Sequence, residues 1–335
     1  MNSIELRAPY LILIGDNEDP TFAKTGLGIV QWRRDRVAGQ LRCDGCEVDL
    51  GVPDMTVKQA KESGVRTLII GVAPVGGIVP DSWWNIVAEA AMSGIDIVCG
   101  LHIRLNEVPN VAAAAKSSGA RLIDIRVPPK NIPIGTGMRR SGKRLLTVGT
   151  DCAVGKKYSA LALHQAMQES GLKATFRATG QTGIMVTGSG IPMDAVVGDF
   201  LSGAAEILSP DNADDHWDVI EGQGSLHHPA YAAVSLGLLL GSQPDTIVVC
   251  HDANRAEISG WSGFAVPCVS ECIERNLVLG RLTNPDIRCI GVCINTSALP
   301  SEARQPYLDA LRDETDLPCA DPIIDGCAEI LGELS

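Results

Sequence analysis

A lysine that directly follows a glycine where an apolar run turns into a helix is well placed to hold a phosphate. The stretch Leu145-Leu-Thr-Val-Gly149-Thr-Asp-Cys-Ala-Val-Gly155-Lys156-Lys157-Tyr158 has this layout. Backbone N–H groups of such a loop and of the helix after it form an anion nest, and the lysine adds a point charge. Gly149, Thr150, Asp151, Cys152, Ala153, Val154, Gly155, Lys156, Lys157 and Tyr158 are therefore the candidate cofactor-binding residues. The segment departs from the usual P-loop in two ways. Five residues, Thr150 to Val154, separate the glycines, and Lys157 stands where a Ser or Thr hydroxyl normally holds Mg²⁺. A bound phosphate group is expected, while the missing hydroxyl weakens a phosphoryl-transfer reading.

Other chemically capable residues fall at the ends of apolar runs. In Val219-Ile-Glu221-Gly-Gln-Gly224 a carboxylate closes a strand, and the glycines after it permit close backbone approach. His227 and His228 follow, ahead of a helical pattern. Glu221, His227 and His228 are candidate bases, the histidines being equally readable as capping or surface residues. Asp199 lies in an otherwise apolar helical pattern; it is a fourth candidate base or a surface position. Arg177 can grip a carboxylate bidentately, and Gln181, Thr182 and Gly183 continue it as a second cradle or as a flexible turn. Asp252 is a helix cap or a ligand contact, Arg255 can bind an acidic substrate, and Asn295, which closes another strand, is a further candidate cofactor-binding residue. Cys152, at a helix start, is a nucleophile or a small loop residue; no histidine adjoins it in sequence to activate it. Cys43-Asp-Gly-Cys46 has metal-like spacing but no completing pair, so a turn at Asp44-Gly45 between two short strands is expected, and no metal site.

These residues need strands to carry them. Apolar runs alternate with helical patterns along most of the chain, as in βαβ units around a parallel sheet. Strands are expected at Tyr10–Gly15, Thr67–Val72, Ile95–Gly100 and Arg121–Arg126, with helices at Trp83–Ser93 and Val108–Ser118. After a Pro/Gly-rich connection ending at Gly137, strands are expected at Arg144–Gly149, Lys173–Thr179, Asp218–Glu221, Thr246–His251 and Cys289–Asn295. Helices are expected at Lys156–Gln168, Asp194–Ile207, Pro229–Leu239, Val269–Leu279 and Ser301–Arg312. The reading is α/β with two domains, 1–137 and 138–335, the second a P-loop NTPase-like, doubly wound parallel sheet. Ligands of open α/β sheets bind at the carboxyl ends of strands, so the named residues are expected to converge.

The bulk properties narrow the partners. The chain has 335 residues, a formal net charge of −12 and only 4% aromatics. That balance excludes nucleic acid as the main partner, because a phosphate backbone needs a basic face. No apolar run is long enough to span a bilayer and the first residues lack a signal-peptide core, so a cytoplasmic location and no membrane partner are expected. Eleven cysteines then read as reduced thiols.

Taken together, the motifs resemble known families. Val148–Lys156 is similar to the five-spaced P-loop of dethiobiotin synthetase, and Ile220-Glu-Gly-Gln-Gly224 to its acidic strand end. The closer resemblance covers nearly the whole chain. It rests on Ala23-Lys-Thr-Gly-Leu-Gly-Ile-Val30, Gly149–Lys156, Gly180-Gln-Thr-Gly183, Glu221-Gly-Gln-Gly-Ser225 and Gly291–Asn295. These motifs resemble a bacterial family formerly of unknown function, with a Rossmann-like N-terminal and a P-loop C-terminal domain. One branch of it is D-glutamate N-acetyltransferase.

The resemblance implies an N-acetyltransferase of D-amino acid catabolism, moving acetyl from acetyl-CoA to the amino group of D-glutamate. CoA phosphates suit Gly149–Lys157, since acyl transfer needs no Mg²⁺. The alternatives are an ATP-dependent ligase or kinase of the dethiobiotin synthetase type, using ATP and Mg²⁺, and a non-catalytic nucleotide or CoA sensor. A small amino-acid substrate and a homo-oligomer, dimer or tetramer, are expected. Lys24-Thr-Gly-Leu-Gly28 lacks both a directly preceding strand and a third glycine, so no NAD binding is expected. The N-terminal domain is expected to close over the site or to form a subunit interface, with Asp16, Lys24 and Thr25 following a strand end.

Overall fold

The computed structural model describes residues 4–74 and 79–334. The chain forms two compact units, one of Asn2–Val127 with Gln181–Pro192 and one of Pro128–Gly180 with Met193–Ser335. Each carries its own parallel sheet.

The first unit runs β1 (Tyr10–Gly15), α1 (Lys24–Trp32), β2 (Val37–Arg42), α2 (Val57–Glu62), β3 (Thr67–Ile70), α3 (Asp81–Met92), β4 (Asp96–Cys99), α4 (Pro109–Ser118) and β5 (Leu122–Asp124). Its sheet has the order β2-β1-β3-β4-β5, with every pair parallel. Every residue of β1 is buried, as expected when helices cover both faces of a parallel sheet. Leu11, Leu13, Leu68, Ile70 and Ile97 pack with Val87 and Ala90 of α3 and Val111 of α4. Local signals fix helix ends: Thr56 and Gln59 form a reciprocal capping box on α2, and Gly119, at φ 77°, closes α4.

α1 was not expected from sequence, whereas β2 is the first of the two short strands expected around the Asp44-Gly45 turn. Lys24-Thr-Gly-Leu-Gly28 proves to be the first part of α1 rather than a strand–helix turn. The turn after β2 is present, with Cys46 N–H donating to the Cys43 carbonyl at 3.1 Å, but no second strand follows it.

The second unit runs β6 (Lys143–Gly149), α5 (Lys156–Glu169), β7 (Lys173–Arg177), α6 (Gln181–Thr187), α7 (Leu201–Leu208), β8 (His216–Ile220), α8 (Ala232–Ser242), β9 (Thr246–Asp252), α9 (Val269–Gly280), β10 (Arg288–Asn295), α10 (Ser301–Thr315), β11 (Cys319–Ala320) and α11 (Ala328–Gly332). Of these, α6 groups with the first unit. The sheet order is β11-β10-β9-β6-β8-β7, again all parallel. The P-loop strand β6 is thus central, with β8 on one side and β9 on the other.

Two expectations here are corrected. Asp194–Ile207 is not one helix: it is two 3₁₀ turns, Met193–Ala195 and Gly198–Phe200, followed by α7, because the backbone is extended at Val197 ahead of Gly198. The glycine-rich Gln181–Gly183 segment, read as a loop, is the first turn of α6. No described helix is long and apolar enough to cross a membrane, and none of the described cysteines is in a disulfide.

Candidate functional site

β6 ends at Gly149, and the Thr150 N–H donates across to the Cys250 carbonyl of β9 at 3.1 Å. The chain then turns through left-handed conformations at Ala153 (φ 55°) and Gly155 (φ 102°) before α5 begins. Left-handed backbone is uncommon for alanine and concentrates at ligand clamps. The first N–H groups of a helix have no partner within it, and those of α5 begin directly after this turn. Lys156 is buried, and its Nζ donates to the Asp151 carbonyl at 2.6 Å. Lys156 is thus held within the loop by the Asp151 carbonyl.

Asp151 is fully buried and holds the loop from within. Its Oδ1 accepts from Cys152 N–H at 2.6 Å, and its Oδ2 accepts from Arg255 Nη1 at 2.9 Å and from Ser259 N–H at 2.8 Å. Thr150 Oγ1 meets His251 Nδ1 at 3.0 Å, and His251 Nε2 meets Tyr307 Oη at 2.8 Å, which ties the loop to α10. Ser225 Oγ donates to the Thr150 carbonyl at 3.1 Å.

Glu221 follows β8, next to the loop strand. Its Oε2 accepts from Thr179 N–H at 2.9 Å and Gly180 N–H at 3.1 Å. Burial raises its pKa; the two N–H groups and then the charges of Lys157 and Lys156 pull the other way. Gly222 is required here, since a Cβ would lie 1.7 Å from the Thr147 carbonyl oxygen of β6. Lys157 Nζ sits 4.4 Å from the centre of the Tyr158 ring.

Two histidines stand beside this assembly. His228 is buried, with its ring 4.5 Å from Tyr231 and 4.5 Å from Trp261, centre to centre. Its Nδ1 accepts the Ala230 N–H at 3.1 Å. His227 Nδ1 faces Arg275 Nη1 at 3.3 Å, and burial followed by Arg275 lowers its pKa. Arginine and a backbone amide only donate, so both Nδ1 atoms are bare acceptors. A base with its free nitrogen on Nε2 is not what this geometry provides.

Ligand atoms of Asp151, Cys152 and His228 lie within 4.8 Å of one another. The histidine absent from the sequence neighbourhood of Cys152 is thus supplied by the fold. The group does not suit a metal ion: both Asp151 oxygens are already hydrogen-bonded and the lone pair of His228 Nδ1 is taken.

Several candidates are placed elsewhere. Arg177 is committed to buried Asp218, with its Nε donating at 2.8 Å, and is no open carboxylate grip. Arg255 is likewise committed to Asp151. Asp199 is exposed on its 3₁₀ turn, with no hydrogen bond to the loop among the described residues. Gln181, Thr182 and Gly183 belong to the first unit, where Thr182 Oγ1 donates to Thr25 Oγ1 at 3.2 Å. Asp252 and Asn295 do come together, at 3.2 Å, on the paired ends of β9 and β10. His251, Ser225 and Tyr307 were not anticipated; only the position of His251 at a strand end signalled it.

A strand–loop–helix phosphate cradle on an all-parallel sheet, with an acidic strand end beside it, defines a P-loop α/β protein. The chain belongs to the DUF1611 family: residues 133–331 match its domain of unknown function described as a P-loop domain, and residues 41–128 match the one described as Rossmann-like. A protein of Tritonibacter scottomollicae named D-glutamate N-acetyltransferase is 43% identical over 98% of this chain and 99% of its own length. A second of that name, from a Pseudoalteromonas species, is 42% identical over 99% of this chain and 100% of its own. The crystal structure of a DUF1611 family protein from Anabaena variabilis superposes with a TM-score of 0.88 at 31% identity, covering 98% of this chain and 99% of that one.

Proposed function

We propose that the protein is an N-acetyltransferase that moves the acetyl group of acetyl-CoA to the amino group of D-glutamate. The reaction and substrate are supported by the two full-length relatives that carry that name. The cofactor is supported by one observation in the loop: Lys157 stands where the Mg²⁺-holding hydroxyl would be and adds a second positive charge beside Lys156. A cradle with two lysines, a helix N-terminus and no hydroxyl suits phosphates that arrive without Mg²⁺, as those of CoA do.

This placement constrains the chemistry. The pantetheine arm between the pyrophosphate and the sulfur of CoA has about a dozen bonds, on the order of 15 Å when extended. With phosphates on Gly149–Lys157, the thioester lies an arm's length from Glu221. Glu221 then sets the charge of the cradle. The deprotonation of the amine and the N–H donors to the thioester oxygen belong at the far end of the arm. Glu221 is the base only if the acetyl end, rather than the phosphates, occupies the loop.

Calorimetric titration with CoA and with ATP·Mg²⁺ tests the cofactor assignment. CoA binding that persists in a metal chelator is the expected result. Tight Mg²⁺-dependent ATP binding without CoA binding would instead support a ligase or kinase of the dethiobiotin synthetase type. CoA binding with no turnover across a panel of amines would support a sensor.

A further inference from the structure

We propose that His228 donates a hydrogen bond, through Nε2–H, to a phosphate oxygen of the ligand held by the loop. The inference rests on the reading that the loop binds phosphate, and it gives that site a neutral side-chain donor in addition to its lysines.

Ala230 N–H reaches Nδ1 at 3.1 Å, and a backbone amide can only donate. Nδ1 is therefore unprotonated, and the ring's hydrogen sits on Nε2. Nε2 is buried and has no hydrogen-bond partner among the described residues. An N–H donor left unsatisfied in a buried position carries a desolvation penalty, and buried polar groups are satisfied in the great majority of cases. The residue as a whole is 1% exposed, so solvent does not supply the missing acceptor.

The surroundings point to where the acceptor comes from. A ring nitrogen of His228 lies within 4.8 Å of both the Cys152 Sγ and an Asp151 carboxylate oxygen, at the first half of the loop. Asp151 is not the acceptor in this structure, since its oxygens take Cys152 N–H, Arg255 and Ser259 N–H. The imidazole is held in place by Tyr231 and Trp261, each with its ring centre 4.5 Å away, and its main chain is tied back by His228 N–H donating to the Ser225 carbonyl at 3.1 Å. Ser225 in turn donates to the Thr150 carbonyl of the loop at 3.1 Å. The imidazole is thus positioned beside the loop before any ligand arrives. A phosphate oxygen is the chemistry it lacks: an anionic acceptor, delivered to a nest that already offers α5 N–H groups and Lys156.

The test is calorimetry of the full-length protein with CoA, 3′-dephospho-CoA and inorganic pyrophosphate, using wild type, His228→Phe and His228→Gln. Phe keeps the ring stack and removes the donor; Gln restores a donor near the Nε2 position. The expected result is a ten- to hundred-fold loss of affinity in His228→Phe, the range for one hydrogen bond to a charged group, with partial recovery in His228→Gln. Equal losses for CoA and dephospho-CoA place the pyrophosphate on His228, and a loss confined to CoA places the 3′-phosphate there; either supports the proposal. Wild-type binding with both variants within two-fold overturns this inference alone. No wild-type binding of any of the three probes overturns the phosphate reading and this inference with it. Nitrogen-15 spectra of the wild-type histidines give a readout that does not depend on a variant folding. The His228 Nε2–H resonance should be present at neutral pH and shift on saturation with pyrophosphate. A proton on Nδ1, or an unmoved signal with pyrophosphate bound, contradicts the proposal.

Discussion

Lys156 and Glu221 act on the same cradle with opposite signs. With CoA phosphates in the loop as proposed, removing Lys156 deletes a charge-assisted contact of about 1.5–3 kcal/mol, so Lys156→Ala should weaken CoA binding ten- to a hundred-fold. Removing the Glu221 charge leaves Lys156 and Lys157 unopposed, so Glu221→Gln should tighten it. Titration of CoA into both variants checks the pair, and movement in the same direction would contradict the charge account. Burial raises the Glu221 pKa, so whatever stability its proton brings is present below the ordinary carboxylate value and is lost as pH rises through the folded one. Glu221→Gln should therefore melt no lower than wild type at neutral pH, because Gln keeps an oxygen for Thr179 and Gly180 N–H.

At the scale of elements, Arg177 and Asp218 join neighbouring strands β7 and β8 from 41 residues apart. Asp218 is almost fully buried, so Arg177→Ala strips its carboxylate of the arginine and leaves it the longer contacts of Asn212 Nδ2 at 3.3 Å and His216 Nε2 at 3.6 Å. The loss should be about 3 kcal/mol in urea unfolding, with an unchanged KM for D-glutamate. An intact stability and a raised KM would return Arg177 to the role of substrate grip. This pair shows where sequence reading stopped. The P-loop strand, β9, β10 and their helices were legible because apolar runs and helical periods are local. β2 was legible only as a short strand without bounds ahead of the Asp44-Gly45 turn, because Val37-Ala-Gly-Gln-Leu-Arg42 has no sustained apolar run, and α1 was missed because two glycines interrupt it. The partners of Arg177 and Arg255 were illegible for another reason. Their contacts depend on strand order: 104 residues separate Asp151 from Arg255, and nothing in either segment names the other.

For the whole molecule, pH links these sites to stability. His102, His164, His227 and His251 all have pKa values lowered, chiefly by burial. Unfolded, each takes up a proton near 6.5; folded, each stays neutral to lower pH. Their contribution is complete above about pH 6.5 and is lost as pH falls through the folded values. Urea unfolding at pH 7.5, 6.5 and 5.5 should show decreasing stability, with a shallower decrease in His251→Asn. A flat profile would contradict the burial account.

The central claim concerns what the assembled protein does with acetyl-CoA. Purified protein, acetyl-CoA and D-glutamate are mixed without metal, free thiol is followed over time, and the amine product is identified by mass. The account predicts thiol release that depends on D-glutamate, with an equal amount of N-acetyl-D-glutamate. No thiol release with D-glutamate or any other amino-acid acceptor, from protein shown to be folded, would contradict it.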